Sequence, residues 1–287
     1  MSKRNLRRLL ITAGCALVGA LLMAYPFVSN FLYEHRQESV IYQYRQEIEA
    51  TDNARLDEAL AAAERYNDVL RESHFVITEP FDPDSAQLEE GATYFDLLNL
   101  SGDGWMGYIE IPQISVQLPI YHGTSSAVLE NGVGHLENTS LPVGGAGTHA
   151  VLSAHAGLSD KKLFTDLVLL EEGDLFYIHV LDRTLAYQVD RIQVVLPHET
   201  ESLQIVSGED YVTLVTCTPY GVNSHRLLVR GTAVPYEPEE KAAAQQQAPE
   251  AQSPWMRQYV QAVCTGTALL LAVLLLVWAL RRRRRHE

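Results

Sequence analysis

Cys217 and Arg226 are the residues whose types and spacing most clearly suggest chemistry. The run from Tyr211 to Thr216 is rich in β-branched and aromatic residues and predicts a buried strand that ends at Cys217. Pro219 predicts a turn, and an extended apolar run resumes directly after Arg226. Such a hairpin places the thiol opposite a permanent cation, which suits acyl transfer, because the cation stabilises the oxyanion formed when sulfur attacks a carbonyl. The alternative is a structural cysteine beside an arginine of a surface ion pair.

His155 supplies the proton carrier that such chemistry requires. The apolar run 148–154 predicts another strand, and His155 stands at its end, followed by Gly157. Ser159 is a suitable N-cap for a helix over KKLFTDL, at 161–167. Imidazole both donates and accepts protons near neutral pH. A cysteine, a histidine and an arginine, each at the end of a strand, therefore form a complete set for acyl transfer.

Four segments of the chain resemble the sortases, the membrane-anchored cysteine transpeptidases of Gram-positive bacteria. They are TLVTC at 213–217, NSHRLLVRG at 223–231, the glycine-rich segment 132–155 and KLFTDL at 162–167. The similarity spans roughly 105–235, and the loop TPYGVNSHR looks most like class C, the pilin-polymerising sortases. The resemblance implies that Cys217 is the nucleophile, His155 the acid and base, and Arg226 the oxyanion-binding group. The chain departs from the usual Gly-His-Arg of the family, because alanines flank His155.

Short extended runs dominate the region 105–236. They lie at 106–111, 116–121, 150–153, 175–180, 185–193, 212–216 and 227–234, and glycine runs predict loops at 131–134 and 144–147. Frequent short strands separated by turn residues are typical of an all-β barrel or sandwich. The fold class is therefore mainly β, and the resemblance implies a closed sortase-type barrel of about eight strands.

A helical segment precedes the predicted barrel. Residues 30–75 are polar and alanine-rich, and Leu56, Leu60, Ala63, Val69 and Leu70 are spaced as on the buried face of an amphipathic helix or helix pair. This segment predicts a spacer or a helix that packs on the barrel, with no catalytic role.

The connection 76–104 contains a proline-rich stretch at Glu79, Pro80, Phe81 and Asp82. By composition it is an ordinary loop. Class C sortases carry a lid with an Asp-Pro-aromatic triplet, so the resemblance implies a lid here, with Glu79 in place of the aspartate. In that case an acid would pair with Arg226, and Phe81 would shield Cys217 from water.

Two uncharged apolar runs, 9–29 and 259–280, are each long enough to cross a bilayer. Basic residues precede the first, within 1–8, and five arginines follow the second, within 281–287. The positive-inside rule predicts cytoplasmic termini, an extracytoplasmic central region and a flexible linker at 237–258 before the second span. The alternative for the first run is a cleaved signal peptide.

Charge and cysteine placement restrict the possible partners. The formal net charge is −14, and the basic ends leave the central region still more acidic, which argues against nucleic acid or anionic lipid as its ligand. Cys15 and Cys264 lie within the apolar runs, so Cys217 is the only thiol of the central region, and a disulfide within that region is impossible. The ten histidines show no zinc-site spacing, and the proposed chemistry requires neither a metal nor an organic cofactor.

The resemblance implies cleavage of LPXTG-like sorting signals between Thr and Gly through a thioester on Cys217. The partners would be pilins or surface proteins that carry this signal, with a pilin lysine as the acceptor amine. An alternative within the family is a housekeeping-type sortase that uses an amine of a peptidoglycan precursor. A different class of protein is also consistent with the sequence, namely an inactive membrane-tethered binding domain.

Overall fold

The computed structural model describes residues 3–73, 93–158, 161–247, 259–270 and 272 of the chain. These residues divide into two compact units, one formed by 1–26 with 250–287 and the other by 27–249. The candidate lid residues 79–82 and Ser159 lie outside the described residues, so the lid and the N-cap stay predictions.

The first unit contains the apolar runs near the two ends of the chain. Helix α1 is Lys3–Ala50, and its stretch Gly14–Ala50 is long and apolar enough to cross a membrane. A shorter apolar helix is Tyr259–Leu270, and the Tyr259 hydroxyl donates to the carbonyl of Met23 at 3.0 Å. One described helix therefore has the length and composition of a membrane span, while two spans and cytoplasmic termini stay predictions.

The second unit is a closed barrel of eight strands, which confirms the predicted fold class. The strands are β1 Trp105–Ile111, β2 Val116–His122, β3 Val133–His135, β4 Thr148–Ser153, β5 Leu175–Val180, β6 Arg183–Val195, β7 Asp210–Thr218 and β8 His225–Val234. Around the barrel they follow the order β1, β2, β3, β4, β7, β8, β6, β5. The pairs β2–β3 and β4–β7 are parallel, and the others are antiparallel.

Strand β3 corrects the prediction of a loop at 131–134. Val133 is buried in the barrel core, and Gly134 pairs with β2 on one side and β4 on the other. A side chain at Gly134 would collide with the carbonyl of Gly123, so glycine serves close backbone approach here. Composition alone does not distinguish this use of glycine from a turn.

Helices α1 and α2 (Asn53–Ser73) cover part of the barrel. The buried stripe of α1 consists of Tyr33, Gln37, Ile41, Tyr44 and Ile48, at helical spacing. In α2 the predicted apolar positions Leu56, Leu60, Ala63 and Leu70 are buried, whereas Val69 is exposed, so Val69 does not belong to the packed face.

Helix α4, Pro238–Gln247, occupies the first half of the segment predicted as a flexible linker. Its Lys241 lies on the barrel, with Nζ 2.7 Å from the Glu110 carboxylate, which also lies 3.2 Å from His179. An ion pair with a largely buried carboxylate holds this helix in place, which a composition rich in Glu, Ala and Gln does not reveal. Within the described ranges, the other helices are the short α-helix α3, Ser126–Leu129, and four 3₁₀ helices at Thr93–Asp96, Pro112–Ile114, Thr165–Leu169 and Glu201–Leu203.

Candidate active site

The ends of three neighbouring strands bring His155, Cys217 and Arg226 into one row. Cys217 pairs directly with Arg226 in the antiparallel ladder of β7 and β8. In the parallel ladder of β4 and β7, Ser153 pairs with Val215, so two residues further on His155 comes level with Cys217. Directly opposed Cβ atoms on paired strands lie about 5 Å apart. Cys217 and Arg226 are therefore directly opposed on β7 and β8, and the register of β4 and β7, extended by two residues, brings His155 level with Cys217.

The three side chains share the outer face of the barrel wall. Along each strand the inward positions belong to the main core, for example Leu152, Leu214 and Leu227. The alternate positions build a separate outer cluster. This outer cluster comprises Leu136, Val151, Leu203, Val215 and Leu228, with Val195 packed against it. Since Cys217 follows Val215 by two residues and Arg226 precedes Leu228 by two, the outer cluster forms the apolar floor beside the reactive row. Cys217, His155 and Arg226 are all partly exposed.

The loop between β7 and β8 orients Arg226 through its own carbonyls. The guanidinium Nη1 donates to the carbonyl of Asn223 at 3.2 Å and to that of His225 at 3.1 Å. The same loop folds back because the amides of Val222 and Asn223 both donate to the carbonyl of Pro219 at 3.0 Å. The fixed cation is thereby held at the level of the thiol.

Arg230 has a different environment although it lies on the same face of β8. Its guanidinium forms a bidentate pair with Asp190, at 3.0 and 2.6 Å, and lies 4.1 Å from the centre of the Tyr211 ring. These partners hold Arg230 four residues away from the level of Cys217. The structure thus gives the two arginines separate surroundings, as the assignment of Arg226 alone to the site requires.

Hydrogen bonds from two elements fix the chain around His155. Thr216 Oγ1 points into the barrel and donates to the carbonyl of Ala154 at 2.8 Å, which ties the residue before His155 to the residue before Cys217. The amide of Phe164 donates to the carbonyl of His155 at 3.0 Å, and the amide of Gly157 donates to Thr165 Oγ1 at 3.0 Å. Thr216 closes the β-branched run that predicts strand β7, and this buried hydrogen bond gives the residue a second role.

The KLFTDL segment corrects the predicted helix over 161–167. The structure has a 3₁₀ helix at Thr165–Leu169. Asp166 is fully buried, with Lys162 Nζ 3.2 Å from its Oδ2, and Lys162 also donates to the carbonyl of Ile114 at 2.5 Å. Burial raises the pKa of Asp166, and the Lys162 ammonium opposes this shift. These interactions draw the segment against the barrel instead of continuing an α-helix.

Tyr220 links the loop after His155 to the loop after Cys217, and no sequence motif singles it out. A Cβ atom at Gly157 would lie 3.1 Å from Cε2 of Tyr220, so the ring covers the glycine directly. Gly157 also has φ +81, a conformation that other residues rarely adopt. The aromatic ring therefore connects the loop after His155 with the loop after Cys217, while half of its surface stays exposed.

Burial lowers the pKa of His155, and two nearby charges act on it in opposite directions. The Glu130 carboxylate raises this pKa, and the Lys161 ammonium lowers it further. The neutral imidazole is therefore favoured in the resting site, which leaves His155 able to accept a proton.

Two other histidines of the barrel, His135 and His149, belong to buried hydrogen-bond networks. His135 is fully buried between the Tyr94 hydroxyl, at 2.8 Å from Nδ1, and the carbonyl of Ser140, at 2.8 Å from Nε2. His149 contacts Thr213 Oγ1 at 2.7 Å and the carbonyl of Gln204 at 2.9 Å. Burial lowers the pKa of each to about 4. Across the described residues, no group of three or more His, Cys, Asp or Glu side chains has the arrangement of a metal site.

Comparison with known proteins places this arrangement in context. The family model described as a sortase domain matches residues 109–234. Sortase A of Bacillus anthracis is 26% identical over 218 residues, which cover 76% of this chain and 90% of that protein.

Solved structures give closer matches. Sortase C of Streptococcus pneumoniae, described with regard to catalysis and pilin substrate specificity, is 43% identical, with a TM-score of 0.61 over 69% of this chain and 97% of that one. Sortase C-1 of Actinomyces oris is 50% identical, with a TM-score of 0.58 over 63% of this chain and 99% of that one. The barrel and its helices thus have counterparts in class C enzymes.

Proposed function

Because this chain belongs to the sortase family of cysteine transpeptidases, we propose that it cleaves LPXTG-like sorting signals between Thr and Gly and joins the freed acyl group to a lysine of a pilin. The observation that carries the proposal is the row of His155, Cys217 and Arg226 across three adjacent strands. The row places a nucleophile between a proton carrier and a fixed cation, which is the arrangement that acyl transfer requires.

The first half-reaction forms the thioester. The sulfur of Cys217 attacks the carbonyl carbon of the threonine, and the proton of the thiol passes to neutral His155. Arg226 donates hydrogen bonds to the oxyanion of the tetrahedral intermediate. His155 then returns the proton to the glycine amine as the C–N bond breaks, which leaves the acyl group on sulfur.

The second half-reaction reverses these roles. An acceptor amine attacks the thioester carbonyl, and His155 takes the proton that this amine loses. Arg226 again holds the oxyanion, and the Cys217 thiolate leaves and regains its proton from His155. With a lysine ε-amine as acceptor, the product is an isopeptide bond between two protein subunits.

The choice of a pilin lysine rests on the class C relatives. The sortase C of Streptococcus pneumoniae is described in terms of pilin substrate specificity, and its chain is matched almost completely. The similarity to a sortase A of Bacillus anthracis supports the second candidate, attachment of surface proteins to an amine of a peptidoglycan precursor. Both candidates use the same thioester and differ only in the acceptor.

We further propose that the barrel works outside the cytoplasm, on a chain anchored in the membrane. The long apolar stretch of α1 supports anchoring, and the basic ends of the sequence support cytoplasmic termini. In this arrangement the acidic central domain meets secreted substrates at the cell surface.

A competition between acceptors tests the proposal. The full chain in detergent is incubated with an LPXTG peptide and equal concentrations of a lysine-containing pilin domain and a peptidoglycan-type amine. We expect the isopeptide-linked pilin to dominate the products seen by mass spectrometry. Predominant ligation to the peptidoglycan-type amine would support the housekeeping role, and intact peptide throughout would support the binding-domain alternative.

A further inference from the structure

Helix α1 forms two hydrogen bonds to the loop that precedes β3, close to His155. The Tyr33 hydroxyl donates to the carbonyl of Asn131 at 3.1 Å, and Gln37 Nε2 donates to the same carbonyl at 2.8 Å. Both side chains are buried, whereas Asn131 itself is exposed. Two donors on successive helical turns thus converge on one carbonyl of an otherwise exposed loop.

The same turns of α1 hold the segment that follows His155. The backbone amide of Lys162 donates to Asn30 Oδ1 at 2.9 Å. The neighbouring Lys161 places its Nζ 5.5 Å from the centre of the Tyr33 ring and donates to the carbonyl of Glu130 at 2.7 Å. Lys161 therefore bridges the two loops, and Tyr33 contacts both of them.

These contacts close a ring beside His155. In this closed set of contacts, Tyr33 binds the carbonyl of Asn131, and the preceding residue, Glu130, binds Lys161 through its carbonyl. Lys161 in turn lies over the aromatic ring of Tyr33. The segment that carries Lys161 is joined to His155 itself, because the amide of Phe164 donates to the carbonyl of His155 at 3.0 Å. A shift of α1 would move both loops together, and with them Glu130 and Lys161, whose charges act on the pKa of the imidazole.

We propose that the turns of α1 that carry Asn30, Tyr33 and Gln37 are a positioning element of the active site, which fixes His155 against Cys217 by holding the loops at 130–131 and 161–162. This role rests on the proposed function and adds residues that do not touch the substrate. The barrel strands set the level of His155, and α1 sets the loops around it.

These contacts of α1 influence the pKa of His155, the proton carrier of the proposed reaction. The charged groups that act on the pKa of His155 are Glu130 before β3 and Lys161 after β4. The titratable groups on the elements beside it are Cys217 on β7, Arg226 on β8 and Tyr220, which contacts Gly157. The Lys161 ammonium opposes protonation of His155, and Glu130 favours it. Since Lys161 is bound to the carbonyl of Glu130, release of the neighbouring Asn131 carbonyl from α1 lets this loop and the cation move, and the imidazole regains water.

Tyr44 provides a matched control on the same helix. It is as buried as Tyr33, and its hydroxyl donates to the carbonyl of Met106 at 3.1 Å and accepts from the amide of Leu181 at 2.7 Å. These contacts join α1 to β1 and to the turn after β5, away from the reactive row. Loss of the Tyr44 hydroxyl weakens the packing of α1 without releasing the loops at 130–131 and 161–162.

The first experiment compares the double variant Tyr33→Phe, Gln37→Met with Tyr44→Phe in the full chain in detergent. We expect kcat for peptide cleavage to fall roughly 10-fold in the double variant at nearly unchanged KM, because the error lies in the geometry of His155. Tyr44→Phe should lower Tm about as much as the double variant does, because each loses buried hydrogen bonds of α1, and it should leave kcat within about twofold.

The second experiment measures the pKa of His155 by ¹³Cε1-histidine NMR, with the signal assigned by its loss in His155→Gln. Removal of the Lys161 cation in Lys161→Gln should raise this pKa by roughly half a unit, and Lys161→Arg should restore it. The double variant at 33 and 37 should raise it in the same direction, and Tyr44→Phe should leave it unchanged.

The outcomes separate the two proposals. If the wild-type chain never cleaves the peptide, the proposed function fails, while the NMR titration still tests the role of α1. If the wild type is active but the double variant matches Tyr44→Phe in kcat and in the pKa of His155, the positioning role is wrong. A fall in kcat with an unshifted pKa would also overturn it, because α1 would then act through general stability.

Discussion

The two faces of strands β4, β7 and β8 differ in what they do. The inward face is mainly apolar, with side chains such as Leu152, Leu214 and Val229 in the main core. The outward face is apolar only midway, at the outer cluster, and changes at the strand ends to His155, Cys217 and Arg226. Because side chains alternate along a strand, successive residues of each strand contribute to opposite faces.

The difference shows that the same three strands serve stability through their inward side chains and chemistry through the outward side chains at their ends. Inward substitutions act on packing and therefore on the free energy of unfolding. Outward substitutions at the strand ends act on partly exposed groups, whose loss leaves the core intact. Changes to each face should therefore produce distinct effects.

The largest effect is expected for Cys217→Ala, on the outer face. Peptide cleavage, measured by chromatography, should fall at least about 10³-fold, because no other described side chain takes the place of the thiol in the row. The Tm should stay within a few degrees of the wild type, since Cys217 is partly exposed and lies outside both apolar clusters. Substantial residual cleavage would remove Cys217 from its role.

The two arginines of β8 refine the comparison within the outer face. Arg226→Lys should lower kcat/KM by about 10²- to 10³-fold, because lysine lacks the planar donor pair that suits an oxyanion. Arg230→Lys should leave kcat/KM within a few-fold, because Arg230 is committed to Asp190 and Tyr211. Equal losses in the two variants would contradict the assignment of the site to Arg226 alone.

The inward face is tested by Leu214→Ala. A fully buried leucine in the barrel core should cost about 2–5 kcal/mol of unfolding free energy, measured by urea titration. Activity per folded molecule should stay close to the wild-type value below the unfolding transition. A loss of specific activity as large as that of Arg226→Lys would show that the two faces are not separate.

Buried histidines predict how stability depends on pH. The pKa of His135 is about 4 in the folded chain, against an ordinary value of 6.5. Between these values the unfolded state binds the proton and the folded state does not, so stability is complete above pH 6.5 and falls as the pH drops towards 4. The loss attributable to His135 is on the order of 3 kcal/mol. Urea titrations at pH 7 and pH 4.5 measure it, and a smaller difference is expected in His135→Gln.

The smallest effect is expected for Thr216→Val, where the two faces are linked. The inward hydroxyl of Thr216 holds the carbonyl next to His155, so its loss should cost about 1 kcal/mol and lower kcat by a few-fold. Thermal melts and peptide cleavage measure the two effects. An unchanged kcat would mean that the strand pairing of β4 with β7 alone keeps His155 level with Cys217.

The sequence was most informative where local patterns decide the structure. Strands β7 and β8 were predictable from β-branched runs around a turn, and their pairing places Cys217 opposite Arg226. The level of His155 depends on a parallel pairing between β4 and β7, which are distant in sequence, and the family resemblance supplied what periodicity did not. Strand β3 was missed because its glycine admits another backbone instead of making a turn.

Features that depend on contacts across the fold were not predictable. Helix α4 is fixed by the pairing of Lys241 with Glu110, two residues far apart in sequence. The contact of Tyr220 with Gly157 arises only after two loops meet beside the row. The hydrogen bonds from Tyr33 and Gln37 to the carbonyl of Asn131 likewise form only when α1 lies on the barrel.

Trapping the acyl-enzyme tests the central claim most directly. The full chain is mixed with an LPXTG peptide without an acceptor amine, quenched in acid, digested and mapped by mass spectrometry. A mass increase equal to the peptide acyl group through threonine should lie on Cys217, decrease strongly in Arg226→Lys and be unaffected in Arg230→Lys. An adduct on any other residue, or cleavage of the peptide by a chain without Cys217, would contradict a thioester mechanism based on this row.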